Sequence, residues 1–156
     1  MKPSFRTRGN DKILEDMLVT FDFDSTLTKP IKKSFAGRNV EFWDSSTQPN
    51  ENLLEKLQAL SSEGHEIRVV TTRDSTSGEE VFDFIDKHSL PICDVHFTCG
   101  EDKLPLLEEI ESNLHFDDSL EELERIAESK KVTGRLVPHP HDKNRHSDRI
   151  KRFKTV

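Results

Sequence analysis

The chain has few cysteines and no long apolar run, and both absences limit what it can be. Its two cysteines, Cys93 and Cys99, give neither a disulfide framework nor a Cys-x-x-Cys metal site. We expect both to be buried as small apolar side chains. No apolar run is long enough to span a bilayer and no signal peptide is recognisable, so we expect an intracellular, cytoplasmic protein without membrane contact.

Hydrophobic residues are also scarce, since they make up 32% of the 156 residues while charged residues make up 34%. Because the apolar residues are grouped in short runs, this composition indicates one domain with a small core and a charged surface, not a disordered chain. The net charge of −7 is unevenly distributed, since residues 143–156 contain six basic residues and one acidic residue. We therefore predict a folded domain at 1–142 and a basic C-terminal tail at 143–156.

Short apolar runs alternate with amphipathic segments along most of the chain. The apolar runs predict five strands, at about 17–23, 67–72, 93–97, 113–116 and 132–137. The amphipathic segments predict helices at about 50–63, after a capping-box pattern at Ser77-Gly78-Glu79-Glu80, at 102–111 and after Ser119. This alternation predicts an α/β fold of three layers, Rossmann-like, with a central parallel sheet of about five strands and helices on both faces.

Residues 27–48 show no sustained periodicity and contain Pro30 and Gly37. We expect a short flap or hairpin there. The adjacent Phe42 and Trp43 could line the entrance to a site or belong to the core, and the sequence does not choose between these positions.

Two aspartates follow the first predicted strand. The apolar run from Met17 to Phe23 is typical of a buried strand, and Asp22 and Asp24 lie at its carboxyl end. On a strand, a spacing of two puts both side chains on the same side. Two carboxylates in such a place are costly unless a divalent cation, a phosphoryl group or both bind there.

Further polar residues lie at the carboxyl ends of other predicted strands, where ligands bind in open parallel sheets. Thr71 ends the second strand, although Thr72 could take its place because strand ends shift by a residue or two. Lys103 begins a helix shortly after the third strand, and Asp117 and Asp118 follow the fourth. The same edge therefore gains a hydroxyl group, a cation and a second pair of carboxylates.

This set contains the groups that removal of a phosphoryl group requires. Asp22 is the candidate nucleophile, which would form an aspartyl-phosphate, and Asp24 is the candidate general acid and then general base. Thr71 could hold the phosphate, and Lys103 could neutralise its charge. The four aspartates repel one another without a cation, and hard oxygen ligands in an open site favour Mg²⁺.

Four motifs, in this order, resemble those of the haloacid dehalogenase superfamily of phosphatases. They are Asp22-Phe23-Asp24-Ser25-Thr26, Val69-Val70-Thr71, Lys103 before Leu106-Leu107-Glu108-Glu109, and Leu114-His115-Phe116-Asp117-Asp118. Together they cover roughly residues 17 to 137, which is nearly the whole predicted domain. The resemblance therefore implies the superfamily's fold and an aspartyl-phosphate mechanism.

The resemblance also implies the roles of individual residues. It places the metal on the Asp22 side chain, the Asp24 backbone carbonyl and an acid of the last motif. Asp118 is favoured as that acid, with Asp117 as the partner of Lys103, although either acid could be the direct ligand. Arg73 follows Thr71 by two positions, and Thr-x-Arg resembles a variant found in polynucleotide 3′-phosphatases, among others, in which the arginine helps to bind the substrate phosphate.

Other sites that gather aspartates fit the sequence less well. In a receiver domain of two-component signalling the lysine comes last, whereas here Asp117 and Asp118 follow Lys103. A dehalogenase gives Asp24 no role, because no leaving oxygen needs a proton. The histidines of the tail lack partners at ligand spacing, so we expect no zinc site at His139, His141 and His146.

The gaps between the motifs bear on the substrate. The first gap, at about 27–49, is too short for a folded cap domain, and the segment from Thr71 to Lys103 has room for one helix and one strand. The resemblance then implies an enzyme without a cap, whose exposed site accepts a large substrate. The basic tail and Arg73 favour a phosphate on a nucleotide or on a nucleic-acid 3′ or 5′ end. A phosphoprotein substrate, a non-catalytic binding module of the same fold and any oligomeric state stay open.

Overall fold

The structure is a computed structural model that describes residues 14–29 and 48–138, together with the strand segments at 5–6, 32–35 and 38–41. Its strands are β1 (Phe5–Arg6), β2 (Leu14–Glu15), β3 (Leu18–Phe21), β4 (Lys32–Phe35), β5 (Arg38–Glu41), β6 (Glu66–Thr71), β7 (Asp94–Phe97), β8 (Leu114–Asp117) and β9 (Thr133–Leu136). Its helices are α1 (Glu51–Ser62), α2 (Gly78–Lys87), α3 (Leu104–Glu109) and α4 (Leu120–Ala127). Within these residues, no helix is both long enough and apolar enough to cross a membrane.

Five strands form the central sheet in the order β7-β6-β3-β8-β9, and every neighbouring pair is parallel. From β3 the chain builds outward through β6 and β7, and it then crosses to the other side of β3 to add β8 and β9. The direction of winding therefore reverses between β3 and β8. Such a reversal leaves a crevice at the carboxyl ends of the two strands, where open α/β sheets bind their ligands.

Helices cover both faces of this sheet, and each face has its own apolar core. On one face, α1 and α2 pack over a cluster in which the rings of Phe21 and Phe116 stack with their centroids 4.7 Å apart. On the other face, α3 and α4 contribute Leu107, Leu123 and Ile126 to a smaller cluster. The predicted fold class, a three-layer Rossmann-like arrangement around a parallel sheet of five strands, is confirmed.

Helix α1 shows how the local sequence sets an element. The side chain of Asn50 accepts a hydrogen bond from the backbone N–H of Leu53 at 3.4 Å, which caps the start of the helix. Leu53, Leu57 and Leu60 recur at helical spacing and are buried in the core. Gly64 follows the helix with a φ of 100°, a conformation that glycine adopts without steric cost.

Two local predictions are wrong. The Ser77 side chain makes no capping hydrogen bond, and the Asp74 side chain instead accepts one from the N–H of Thr76 at 3.0 Å. That bond starts a 3₁₀ turn that leads directly into α2, so the helix still begins where the pattern indicates. Cys93 and Cys99 are exposed, not buried, because they lie at the two ends of the edge strand β7.

The region after the first motif contains the predicted hairpin, in which β4 pairs antiparallel with β5. Among the described residues, β4 and β5 are the sole strands between β3 and α1, and α2 and β7 are the sole α-helix and strand between β6 and α3. No folded cap is therefore present in the described parts of these two gaps. Phe42 and Trp43, the three histidines of the tail and the basic tail itself lie outside the described residues, so the domain boundary at 142 stays a prediction.

The buried face of α1 gives a direct test of the core. Leu57 is fully buried, and we expect Leu57→Ala to lower the free energy of unfolding by about 2–5 kcal/mol, because it removes apolar contacts and leaves a cavity. Gln58 is the matched control, since it is the next residue of the same helix and is exposed. Gln58→Ala should change that free energy by less than about 0.5 kcal/mol in the same urea titration. Equal losses in the two variants would contradict this placement of α1.

Candidate active site

The strand β3 ends at the sheet's crevice, and the chain then turns sharply. Asp22 follows the strand directly and is 6% exposed, and its backbone N–H donates to the carbonyl of Phe116 on β8 at 2.9 Å. The turn continues through Ser25, which has a φ of 62° and donates from its N–H to the hydroxyl of Thr28 at 3.0 Å. A non-glycine residue in this left-handed region is strained, and such strain is common at functional sites.

Lys103 lies between two carboxylates of different strands. Its ammonium group donates to Asp22 Oδ1 at 2.8 Å and to Asp117 Oδ2 at 2.7 Å, and the side chain is 2% exposed. Burial alone would lower the pKa of Lys103, but the charges of Asp22 and Asp117 outweigh it and hold the pKa above its usual range. The lysine is therefore charged at any physiological pH.

Helix α4 fixes the backbone at this lysine. The carboxylate of Glu122 accepts a hydrogen bond from the backbone N–H of Lys103 at 3.3 Å, and Arg125 donates to the same carboxylate at 3.0 Å. Lys103 itself precedes α3, which is shorter than the predicted helix at 102–111. The start of α3 is thus set by a tertiary contact as well as by local propensity.

Asp117 is engaged on both of its oxygens. Besides Lys103, Oδ2 accepts a hydrogen bond from His115 Nε2 at 2.8 Å, and Oδ1 accepts one from the backbone N–H of Ser119 at 3.0 Å. Burial would raise the pKa of Asp117, but Lys103 and the His115 hydrogen bond outweigh burial and hold the pKa well below its usual range. Asp117 is therefore a carboxylate whose acceptor sites are largely occupied by protein donors.

A buried chain of polar groups continues beneath Asp117. His115 Nδ1 lies 2.8 Å from the hydroxyl of Thr20, which in turn lies 2.8 Å from the hydroxyl of Ser112. Because the Asp117 carboxylate is a pure acceptor, His115 donates to it from Nε2. The chain therefore runs from Ser112, which precedes β8, through Thr20 and His115 to Asp117 at the carboxyl end of β8, and it fixes the orientation of the Asp117 side chain.

Asp118 lies near Asp22, the candidate nucleophile, and the side chain of Thr26 connects the two. The hydroxyl of Thr26 lies 3.0 Å from Asp22 Oδ2 and 3.2 Å from Asp118 Oδ1, so the two carboxyl groups share one donor. Burial, followed by the charge of Asp22, raises the pKa of Asp118 to about 10, and burial and Asp117 raise the pKa of Asp22. Without a cation, burial and the neighbouring carboxylates therefore favour the protonated form of Asp118.

These acids fit a divalent cation. Asp22, Asp117 and Asp118 each offer one oxygen, and these oxygens all lie within 4.8 Å of one another. Three carboxylates face one ammonium group, so a bound cation would relieve the repulsion that raises the pKa of Asp118. An all-oxygen donor set suits Mg²⁺. Since Asp117 already accepts from three protein donors, the geometry favours Asp118 as the direct ligand.

Asp24 lies in a different environment from Asp22. Arg73 Nε donates to Asp24 Oδ2 and Nη2 donates to Asp24 Oδ1, both at 2.8 Å, so the contact is bidentate. Arg73 Nη1 also donates to Glu80 on α2 at 2.6 Å, and the guanidinium carbon lies 5.4 Å from the centre of the Phe23 ring. The hydrogen bond to Asp24 raises the pKa of Arg73 further above its usual range.

Thr71 is the last residue of β6, directly beside β3. It is fully buried, and its hydroxyl accepts a hydrogen bond from the backbone N–H of Arg73 at 3.3 Å. Thr72 lies beyond the strand and is exposed. The structure thus distinguishes the two threonines by burial, and it places Thr71 at the same edge as the acids.

The structure brings most of the predicted site residues together. Asp22, Lys103, Asp117 and Asp118 form one cluster, while Asp24 and Arg73 form an adjoining pair that Arg73 N–H connects to Thr71. The supporting residues received no role at the site from the sequence, namely Thr20, Thr26, Glu80, Ser112, His115 and Glu122. A signal existed for two of them, since Thr20 and His115 are polar residues inside short strands whose neighbours are apolar.

The raised pKa of Asp118 predicts how the metal-free protein responds to pH. The folded state favours protonated Asp118, so this group's contribution to stability is present at low pH and is lost as pH rises between its ordinary 3.8 and about 10. Asp118→Asn removes the ionisation. We therefore expect the Tm of the variant, relative to that of the wild type, to rise between pH 5 and pH 9 in EDTA. Saturating Mg²⁺ should raise the wild-type Tm more than that of the variant.

The matched control is Asp83→Asn, which changes an exposed aspartate on α2. We expect its Tm to follow that of the wild type at each pH, with and without Mg²⁺. Parallel curves of Tm against pH for wild type and Asp118→Asn in EDTA would contradict the burial of an ionisable Asp118.

Comparisons with known proteins found a curated relative and solved structures that are similar to the chain. No protein-family model matches the chain. Over 89 residues it is 32% identical to a Bacillus cereus protein named "Putative nucleotidase", and the match covers 55% of this chain and 47% of that protein. The chain therefore spans about half of the length of this curated relative.

Two solved structures are also similar to it. A "putative 3-deoxy-D-manno-octulosonate 8-phosphate phosphatase" from Vibrio cholerae has a TM-score of 0.40 and 15% identity, covering 75% of this chain and 68% of that one. A hypothetical protein from Xanthomonas campestris has a TM-score of 0.47 and 22% identity, covering 83% and 69%. The curated match and the parallel sheet that carries the four motifs at one edge are consistent with the resemblance to the haloacid dehalogenase superfamily of phosphatases.

Proposed function

We propose that this protein is a Mg²⁺-dependent phosphomonoester hydrolase that acts through an aspartyl-phosphate on Asp22. The contact between Lys103 and Asp22, at 2.8 Å in the crevice where the sheet's winding reverses, is the observation that carries the proposal. A buried ammonium group that contacts a carboxylate at a ligand-binding edge suits attack on a phosphoryl group. It orients the attacking carboxylate oxygen and offsets the negative charge of the transferred phosphoryl group.

The reaction runs in two displacements. A carboxylate oxygen of Asp22 attacks phosphorus, the bond from phosphorus to the leaving oxygen breaks, and Asp24 gives that oxygen a proton. A water molecule then attacks the phosphorus of the aspartyl-phosphate, the bond to Asp22 breaks, and Asp24 takes the proton of the water. Lys103 and the Thr71 hydroxyl group bind the phosphoryl oxygens in both steps. Asp22, Asp118 and the Asp24 backbone carbonyl would hold Mg²⁺, which would supply electrostatic stabilisation of the same oxygens.

For the substrate, we propose a phosphate on a nucleotide or a nucleic-acid terminus. The described parts of the two gaps hold no cap domain, so a polymer end could reach the crevice. The curated relative is named as a nucleotidase, and the tail at 143–156 carries six basic residues that could contact a phosphate backbone. Two exposed free cysteines suit a reducing, cytoplasmic location, which we also propose.

The mechanism predicts that Asp22→Asn abolishes turnover while the protein stays folded. The amide is nearly isosteric but is not a nucleophile, so we expect phosphate release to fall at least about 10³-fold. The assay measures phosphate with Mg²⁺ on an aryl phosphate, 5′- and 3′-mononucleotides, 5′- and 3′-phosphorylated oligonucleotides and a phosphopeptide. Asp83→Asn is the matched control and should match the wild type.

The members of that panel separate the competing functions. Preference for a nucleotide or an oligonucleotide supports the proposal, whereas preference for the phosphopeptide would indicate a protein phosphatase. No release from any member by folded, Mg²⁺-binding wild type would argue for a binding module. Turnover by Asp22→Asn at the wild-type rate would refute the nucleophile.

The role proposed for the basic tail has its own test. Removal of residues 143–156 should raise KM for phosphorylated oligonucleotides and flatten its dependence on salt, because fewer counterions are released on binding. Activity on the small aryl phosphate should change by less than about twofold, since that substrate has no backbone for the tail to contact. Unchanged KM and unchanged salt dependence on oligonucleotides would count against a nucleic-acid substrate.

A further inference from the structure

We propose that Arg73, anchored by Glu80, is a positioning residue for Asp24, and not chiefly a ligand of the transferred phosphoryl group. The inference rests on the proposed function, because it assigns Arg73 to the steps in which Asp24 moves a proton. Arg73 donates to both oxygens of Asp24 at 2.8 Å, so the carboxylate is fixed in its plane as well as in its position.

The guanidinium group is itself held from several sides. Nη1 donates to Glu80 at 2.6 Å and to the backbone carbonyl of Ser77 at 3.3 Å, and the group lies over the ring of Phe23. The Arg73 side chain is 14% exposed, whereas Asp24 is 41% exposed. The arginine is thus the better fixed of the two, and Glu80 and Ser77 connect it to the start of α2.

Asp24 needs such support because of where it lies. It follows the end of β3 by three positions, in a turn whose next residue, Ser25, is in the left-handed region. No strand pairing fixes its side chain, and a displacement of about 1 Å at a proton-transfer group can cost about 10²-fold in rate. The bidentate contact with Arg73 supplies the orientation that the sheet does not.

The two roles for Arg73 predict opposite effects on the aspartyl-phosphate. An aryl leaving group departs without a proton, so formation of the intermediate from an aryl phosphate does not need Asp24. Hydrolysis does need it, because the attacking water must give a proton to Asp24 while the bond between phosphorus and Asp22 breaks. Loss of a positioning residue therefore slows the second displacement alone, whereas loss of a phosphoryl ligand also slows the first, because such a ligand contacts the transferred oxygens in both.

The experiment measures both displacements with a ³²P-labelled aryl phosphate and Mg²⁺, by acid quench for the phosphoenzyme and by release of phosphate. In Arg73→Gln we expect hydrolysis of the intermediate to slow about 10- to 100-fold, formation to change less than about threefold, and phosphoenzyme to accumulate, as in Asp24→Asn. Arg73→Lys, which keeps the charge but not the fork, should restore part of the hydrolysis rate. A slower formation with less phosphoenzyme, or no change in either step, would overturn the inference.

The double variant Asp24→Asn, Arg73→Gln asks whether Arg73 acts through Asp24. We expect hydrolysis no more than about twofold slower than in Asp24→Asn alone, because the group that Arg73 positions is already lost. If the reductions in hydrolysis rate of the two single variants multiply in the double variant, Arg73 acts independently of Asp24, and the inference is overturned. Glu80→Gln leaves residue 73 an arginine, removes the charge that anchors it and changes a side chain that is 47% exposed, so it tests the anchor even if Arg73→Gln does not fold. It should slow hydrolysis in the same direction but less.

A failure of the proposed function looks different. In that case wild type forms no phosphoenzyme and releases no phosphate, so both ideas fall together. If wild type turns over through the phosphoenzyme and Arg73→Gln impairs its formation, the proposed function stands and the inference fails alone.

Discussion

The ammonium group of Lys103, buried between Asp22 and Asp117, is the interaction on which the arrangement of the site depends. A buried charge costs several kcal/mol unless its partners are close and well oriented, so each of the three groups needs the other two. The carboxylates come from neighbouring strands, β3 and β8, and the lysine comes from the start of α3. The contact is therefore made when the sheet is correctly ordered and when Glu122 on α4 holds the backbone of Lys103.

This requirement also explains why the two faces of the sheet differ. The face under α1 and α2 has the larger apolar cluster, while the opposite face buries Thr20 and His115 next to Asp117. Polar groups in a core stabilise little and are costly when unpaired, but here each has a partner at 2.8 Å. Part of that face's apolar packing is thus exchanged for a fixed orientation of the carboxylate that holds Lys103.

Much of this could be predicted from the sequence, because strand ends and apolar spacing are local signals. The five strands, the capped start of α1 and the acids after β3 and β8 all follow from such patterns. Contacts across the fold do not. Arg73 and Asp24 are 49 residues apart, and no pattern indicates that they pair. The start of α3 at Leu104, later than predicted, and the exposure of Cys93 depend on tertiary position as well, the first through Lys103 and the second through an edge strand.

The two aspartates of the first motif pair with different cationic side chains. The reason is that β3 ends directly before Asp22, while Asp24 lies in the turn that follows. Asp22 still lies against β8 and is buried beside Lys103, whereas Asp24 lies in the turn and is 41% exposed beside Arg73. The two cations are not interchangeable. The compact ammonium of Lys103 can be shared between two carboxylates, while the planar fork of Arg73 fixes both oxygens of one. In the proposed mechanism, Asp22 attacks phosphorus from a buried position, and Asp24 must be reached by the water that hydrolyses the intermediate. The two residues, separated by one phenylalanine, differ in depth in the way that this proposal requires, and each pairs with the cation that suits its depth.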